Sequence, residues 1–139
     1  MPAGQRETST SLRGYPLEMV LAEKIVTSIA RGTANTRWRD FVDIYTLVQR
    51  RHIDGPTLKE SMSRVARHRE VTLLTLKAVL EGYEEITQSR WLAWLRTQRL
   101  DAVVPNDFSA VLNAIEMFSD PVISNVEIQT WSPATLEWM

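Results

Sequence analysis

Charged side chains interrupt two apolar helical patterns in the first third of the chain. They are Glu23 and Lys24 in YPLEMVLAEKIV, and Arg37, Arg39, Asp40 and Asp43 in TRWRDFVDIYTL. At 100° per residue, Lys24 falls in the apolar stripe of its segment, and Asp40 lies between the directions of Ile44 and Leu47. Burying a charge is costly unless it is paired or faces a site. These residues are therefore expected either to satisfy one another across two helices or to line a cleft.

The residue types at these positions suit the binding of phosphates. An ammonium group on an apolar helix face can clamp a triphosphate, and the planar guanidinium groups of Arg37 and Arg39 can grip phosphate oxygens. Arg39 points away from Phe41, which favours a solvated position. The alternative is a structural ion pair between Lys24 and Asp40 or Asp43, with Asp40 also able to pair with Arg37. The residues alone leave both interpretations open.

The elements that position these charges are predicted to be helices. Pro16 suits a first turn and Gly32 a helix end, which predicts a helix over 17–31. Thr33 or Thr36 is expected to cap a second helix that runs to about Arg50. A third helix is predicted after Asp54-Gly55-Pro56, with Leu58, Met62 and Val65 buried. Three more are predicted, from Val71 or Thr72 through Leu80 or Tyr83, from Glu85 to Arg99, and from Pro105 or Asn106 to Asp120-Pro121.

The fold class that follows is mainly α, a small array of about six helices with an extended C-terminal segment. Alternation around Val126 and Ile128 permits a short strand there, and Trp131 and Trp138 are expected to pin the segment to the helices. Residues 1–14 are polar and aperiodic, which predicts a flexible N-terminal segment before a helical domain over 15–139.

Both charged stretches resemble motifs of the AbiEii/AbiGii-type nucleotidyltransferase toxins of bacterial toxin–antitoxin systems. The resemblance rests on a Tyr-Pro-Leu-Glu start at 15–18, the Ala-Glu-Lys motif at 22–24, a Gly- and Asn-bearing link at 32–35, and the Arg-x-x-Asp-x-x-Asp motif at 37–43. It continues more weakly through HREVTL, the Trp91/Trp94 helix and the Trp-x-Pro element. It therefore covers roughly residues 15–139.

The resemblance implies roles for these residues. Lys24 would clamp a nucleoside triphosphate, and Asp40 would position or deprotonate the acceptor end of an RNA such as tRNA. From their chemistry, Arg37 and Arg39 are expected to bind nucleotide or RNA phosphates, and Glu23 and Asp43 to support the site residues from behind or to lie at the surface. Relatives also open with a half that carries a Gly-Ser or Gly-Gly phosphate turn and an Asp-x-Asp metal pair. In this chain, neither motif occurs before Tyr15. The chain is thus expected to be the C-terminal half alone and inactive by itself.

Cofactor and partner expectations follow from the same resemblance. An intact relative would use Mg²⁺ and a nucleoside triphosphate, whereas this chain is expected to hold no cofactor or metal. A cognate antitoxin is the expected protein partner. An N-terminal catalytic half, self-association, and RNA or tRNA in the intact enzyme are further expected partners. The alternative is a non-catalytic helical module that binds an antitoxin or another chain. A helix-turn-helix DNA binder is weaker, because no compact turn precedes a polar reading helix.

Composition agrees with a small domain of this kind. The 139 residues include five tryptophans, enough for a real core, and no cysteine, which excludes disulfides and thiolate metal sites. His52 and His68 lack the spacing of a helical metal pair. Basic residues exceed acidic ones between Arg31 and Arg69, so RNA binding or an ordinary solvated surface are both open. No apolar run approaches a membrane span, and a cytoplasmic location is expected.

Overall fold

A computed structural model of the protein describes residues 16–124 and 127–139. Within these residues the fold contains six helices and one small sheet. The helices are α1 Leu17–Arg31, α2 Trp38–Arg50, α3 Gly55–Arg69, α4 Leu76–Val79, α5 Tyr83–Thr97 and α6 Phe108–Ile123, and the strands are β1 Ile53–Asp54, β2 Thr130–Ser132 and β3 Glu137–Trp138. The predicted mainly α fold is confirmed. The flexible segment predicted for residues 1–14 lies outside the described residues, as does Val126.

Helices α1 and α2 form one side of the core and carry the charged stretches. α1 has the predicted bounds, and Gly32 ends it at a φ of 57°, a backbone conformation that glycine adopts without strain. A short 3-10 turn, Gly32–Ala34, leads to α2. Neither Thr33 nor Thr36 caps α2, so that prediction is wrong. The helix begins only at Trp38, which leaves both threonines too early in the chain.

Helix α3 starts at the predicted break and packs along α1. The Asp54 side chain accepts a hydrogen bond from the Thr57 backbone N–H, which satisfies one of the free donors of the first turn. Leu58, Met62 and Val65 are buried, as predicted. The backbone of Gly55 lies against Gln129, where a Cβ atom would come within 2.9 Å of the Gln129 carbonyl oxygen. This close approach ties the start of α3 to the C-terminal segment.

The predicted helix from Val71 or Thr72 to Leu80 or Tyr83 is wrong in extent. Only Leu76–Val79 is helical, and Tyr83 belongs to α5. The Asp120 carboxylate accepts hydrogen bonds from the backbone N–H groups of Leu76 and Lys77. The Thr75 hydroxyl also accepts a hydrogen bond from the Ala78 backbone N–H, so a local cap and a side chain 44 residues away in sequence together mark the start of the helix.

Helices α5 and α6 occur close to their predicted positions. α5 spans Tyr83–Thr97 where Glu85 to Arg99 was predicted, with Trp91 and Leu95 fully buried. α6 is capped by Asp107 and continues through Pro121 to Ile123, so the predicted end at Asp120-Pro121 is too early. The proline lies in the last turn, where its missing N–H removes a single helical hydrogen bond.

The C-terminal segment forms an antiparallel sheet whose order is β1, β2, β3. Its middle strand lies a few residues after the predicted strand around Val126 and Ile128, because it pairs with β1, which the sequence pattern did not predict. The indole N–H of Trp131 donates to the Val48 carbonyl, and that of Trp138 donates to the Phe118 carbonyl. Both distances are 2.8 Å, which confirms that these tryptophans pin the segment to the helices.

A polar contact inside an aromatic cluster ties the link between α1 and α2 to α5. The rings of Phe41, Tyr83 and Phe108 pack edge-on or tilted against one another. The Tyr83 hydroxyl donates to the Asn35 carbonyl and accepts a hydrogen bond from the Trp38 indole at 3.1 Å. Burial is the largest influence on the Tyr83 hydroxyl and raises its pKa, so it stays protonated and able to donate.

Tyr83→Phe is expected to lower the free energy of unfolding by about 1 to 3 kcal/mol, because it leaves the buried Asn35 carbonyl and the Trp38 indole without this partner. Urea unfolding followed by tryptophan fluorescence measures the change. Tyr45→Phe, at a half-buried tyrosine outside the cluster, is the matched control. Equal stability of the two variants would show that the hydroxyl does not hold the link in place.

Candidate functional site

Lys24 and Asp40 meet across the first two helices, as their positions on the two helical patterns predict. The Lys24 Nζ atom lies 3.2 Å from Asp40 Oδ1. Only 9% of the Asp40 side chain is exposed, against 23% for Lys24. Asp40 also occupies the first turn of α2, where the positive end of the helix dipole favours a carboxylate. The predicted approach of the two residues is confirmed.

The remaining charges of the two stretches extend this contact into a network. Asp40 Oδ2 accepts a hydrogen bond from Arg37 Nε at 3.1 Å, so each carboxylate oxygen of Asp40 faces a different cation. Lys24 also donates to Asp43 Oδ2 at 3.0 Å. Arg39 Nε lies 3.6 Å from Asp43 Oδ1, and its side chain is largely exposed. The network therefore becomes more solvated from Asp40 outward to Arg39.

The position of Arg37 depends on the link that precedes α2. The Asn35 side-chain oxygen accepts a hydrogen bond from the Arg37 backbone N–H at 2.8 Å. Asn35 is itself buried and bonded through its carbonyl to Tyr83. The backbone of Arg37 is thus held by the core while its side chain remains half exposed.

Burial and hydrogen bonding act in opposite directions on Lys24. Desolvation is the largest single influence and lowers the pKa of the ammonium group. The hydrogen bonds to Asp43 and Asp40, together with their negative charges, outweigh it, so the pKa of Lys24 lies above its ordinary value of 10.5. Lys24 is therefore a fixed cation at neutral pH. It suits the binding of an anion and not the removal of a proton.

The network opens on a cleft of about 340 Å³ between α1, α3 and the start of α2. Its lining residues are Met19, Val20, Glu23, Lys24, Thr27, Arg37, Asp40 and Arg69. Four of the six residues predicted from sequence line it, whereas Asp43 and Arg39 lie beside it and reach it only through Lys24 and Asp40. The structure thus brings all six into one neighbourhood. Their chemical roles remain predictions.

Arg69 is a lining residue that the sequence analysis did not single out. It is the last residue of α3, and its Nη2 atom lies 3.0 Å from Glu23 Oε1. Its Nη1 atom donates to the Thr27 hydroxyl. The signal that could have found it is its place in HREVTL, one of the weaker elements of the family resemblance. Nothing in the local pattern indicates that the end of α3 returns to α1.

The carboxylates of the cleft do not fit a divalent metal ion. Both oxygens of Asp40 already face cationic nitrogens, and Asp43 lies between Lys24 and Arg39. A metal ion would require these cations to withdraw. In residues 16–124 and 127–139, no group of three or more metal-ligating side chains is suitably arranged. The donor set therefore suits phosphate groups and not magnesium.

The fold and the cleft define a helical domain with a cationic, phosphate-compatible site. A family model described as "Nucleotidyl transferase AbiEii toxin, Type IV TA system" matches residues 2–129. The chain belongs to this family, which confirms the resemblance seen in the sequence. Membership in a toxin–antitoxin family implies an antitoxin partner. No curated protein and no solved structure gave a significant match. No helix in the described part of the chain is long and apolar enough to cross a membrane.

Lys24→Met is expected to lower the free energy of unfolding at pH 7, because it removes the ammonium group that contacts Asp40 and Asp43. The loss should be limited to about 1 to 2 kcal/mol, because Asp40 still contacts Arg37 and Asp43 still contacts Arg39. The raised pKa means that the ammonium group stabilises the fold fully below pH 10.5 and loses this effect as pH rises through the folded-state value. The difference between wild type and variant should therefore shrink in urea unfolding above pH 10.5.

Lys77→Met, at an exposed lysine outside the cleft, is the control for this measurement. A difference between wild type and Lys24→Met that stays constant from pH 7 to pH 11 would contradict a stabilising role for the Lys24 charge.

Proposed function

We propose that this chain forms the substrate-recognition part of a nucleotidyltransferase toxin that transfers nucleotides from a nucleoside triphosphate to RNA, such as the end of a tRNA. The observation that carries the proposal is the geometry around Asp40. A nearly buried carboxylate holds an ammonium and a guanidinium group from two different elements at the wall of an open cleft. Such a pair of fixed cations is suited to neighbouring phosphate groups.

The roles of the individual residues follow from this arrangement. Lys24 acts as a point charge against the triphosphate, and Arg37 offers its remaining guanidinium N–H groups to a second phosphate. Asp40 keeps both cations in place and, in this proposal, positions or deprotonates the acceptor hydroxyl of the RNA. Arg39 contacts RNA phosphates from its exposed position, while Asp43 and Glu23 support the cations.

We assign the metal-binding carboxylates of the reaction to a segment other than residues 1–139. The printed sequence contains no two carboxylates separated by one residue, which is the Asp-x-Asp spacing of relatives. Such a pair would hold Mg²⁺, which would supply positive charge against the phosphates of the nucleotide. The cleft residues of this chain bind and orient the substrate, and they act with an N-terminal catalytic half in the cytoplasm.

A second candidate function is a non-catalytic module that binds the antitoxin or another copy of the chain. One observation favours it: every charged side chain that lines the cleft already has a partner of opposite charge within 3.2 Å. Such a network can hold α1, α2 and α3 together without binding any ligand. The two candidates differ in whether the charges are needed for activity beyond their effect on stability.

Purified residues 1–139 are expected not to label RNA with a nucleoside triphosphate and magnesium, because this chain lacks the metal-binding pair. Incorporation of a radiolabelled nucleotide into total tRNA measures this. Labelling that disappears in Asp40→Ala would contradict the division of roles proposed above.

Restoring an Asp-x-Asp half from a family member, in trans or fused upstream, is expected to give transfer activity that Lys24→Ala and Asp40→Ala each reduce at least about a hundredfold, equivalent to about 2.7 kcal/mol. Activity and melting temperature are measured together on each variant. Lys77→Ala, an exposed position outside the cleft, should retain both.

A purely structural network predicts a different result. Removing one member of a buried ion pair costs about 3 to 5 kcal/mol when the other charge is left without a partner. Large losses of stability, with activity preserved in the fraction that remains folded, would reject the phosphate-binding roles. They would favour the non-catalytic module.

A further inference from the structure

Arg69 approaches the cleft from a third element and has no role in the function proposed above. Its guanidinium group spans two residues of α1, with one nitrogen on the Glu23 carboxylate at 3.0 Å and another on the Thr27 hydroxyl. Thr27 and Glu23 flank Lys24 along α1, three residues after it and one before it. The Arg69 guanidinium therefore lies on the same stretch of α1 as the Lys24 ammonium, and all these residues line one cleft.

The two carboxylates that line the cleft differ in how firmly they are held. Asp40 is almost buried between two cations, so separating it from both would leave a desolvated charge. Glu23 is 50% exposed and Arg69 is 40% exposed. An exposed ion pair contributes only about 0 to 1 kcal/mol, because water solvates both partners well when they separate. Glu23 can therefore leave Arg69 at little cost, whereas Asp40 cannot leave its partners.

We propose that Arg69 is a phosphate-binding residue of this cleft, and that Glu23 is an internal anion that occupies its guanidinium group until a polyphosphate replaces it. The inference rests on the proposed function and identifies the ligand class as a triphosphate. Three cations on three elements, Lys24 on α1, Arg37 before α2 and Arg69 at the end of α3, line the cleft. A chain of linked phosphates offers more oxygens and more negative charge to these three cations than a single phosphate does.

The planar fork of Arg69 explains why arginine, and not lysine, suits this position. A guanidinium group can keep its bond to Thr27 through one nitrogen while it presents the others to a phosphate, which orients the group before the ligand arrives. An ammonium group has the same charge but no fixed fork. Replacement of Glu23 by phosphate leaves the Glu23 carboxylate at the half-exposed surface, where water can solvate it.

Isothermal titration of the full chain with inorganic tripolyphosphate tests the proposal. Arg69→Gln is expected to weaken binding about tenfold, which corresponds to about 1.4 kcal/mol, and Arg69→Lys should restore only part of it. Glu23→Gln should strengthen binding about threefold, because it removes the competing carboxylate and leaves Arg69 in place. Lys24→Met reports on the proposed function itself, and Arg96→Gln, at an exposed residue of α5, is the control.

The outcomes separate the two proposals. Weaker binding in Lys24→Met with unchanged binding in Arg69→Gln would overturn the role of Arg69 and leave the proposed function intact. Failure of tripolyphosphate to bind the wild-type chain, or equal binding by every variant, would reject both proposals. Unchanged or weaker binding in Glu23→Gln would overturn the competition by Glu23. If Arg69→Gln unfolds, which the far-UV circular dichroism spectrum would reveal, Arg69→Lys tests the residue in its place, and binding equal to that of the wild type would overturn the role of the guanidinium group.

Discussion

The carboxylate of Asp40 determines where the charged groups of Lys24 and Arg37 lie. A carboxylate that is nearly removed from water needs a partner at each oxygen, and here the partners are Lys24 from α1 and Arg37 from the residue before α2. Two cations brought this close would repel each other without an anion between them. The two contacts therefore offset the cost of burying Asp40, and Asp40 in turn makes a closely spaced pair of positive charges possible at the wall of the cleft.

The position of Asp40 depends in turn on packing that lies deeper in the fold. The following residue, Phe41, is fully buried and packs against Tyr83 and Phe108. The Tyr83 hydroxyl binds the carbonyl of Asn35, and the Asn35 side chain binds the backbone of Arg37. The aromatic core thus fixes the first turn of α2 from one side and the residue before it from the other. A change in this cluster is transmitted to the charged network through these contacts.

The parts of this arrangement that local sequence determines could be predicted, and those that distant contacts determine could not. Pro16 and Gly32 bound α1, and helical periodicity placed Lys24 and Asp40 on facing sides, because both signals depend on residues a few positions apart. The start of α4 was misplaced because apolar periodicity extends before Thr75, which caps the helix, and because the contact with Asp120 comes from another helix. Arg69 was missed for the same reason, since its position in the cleft follows from how α3 packs on α1. The strand pairing of Ile53 with Trp131 is likewise non-local.

Under the proposed function, the difference between the two acidic residues of the cleft connects the stability of the cleft with phosphate binding. A site in which every cation was paired with a buried carboxylate would leave no cation free to change its partner, and one with no carboxylate would force like charges together in the free protein. Here the buried Asp40 holds Lys24 and Arg37 in a fixed arrangement, so no energy is needed to gather them when an anion enters. The exposed Glu23 holds Arg69 only weakly, which leaves one cation available for exchange. The same ion pairs that join the three helices therefore also set which charge in the cleft is fixed and which can be exchanged.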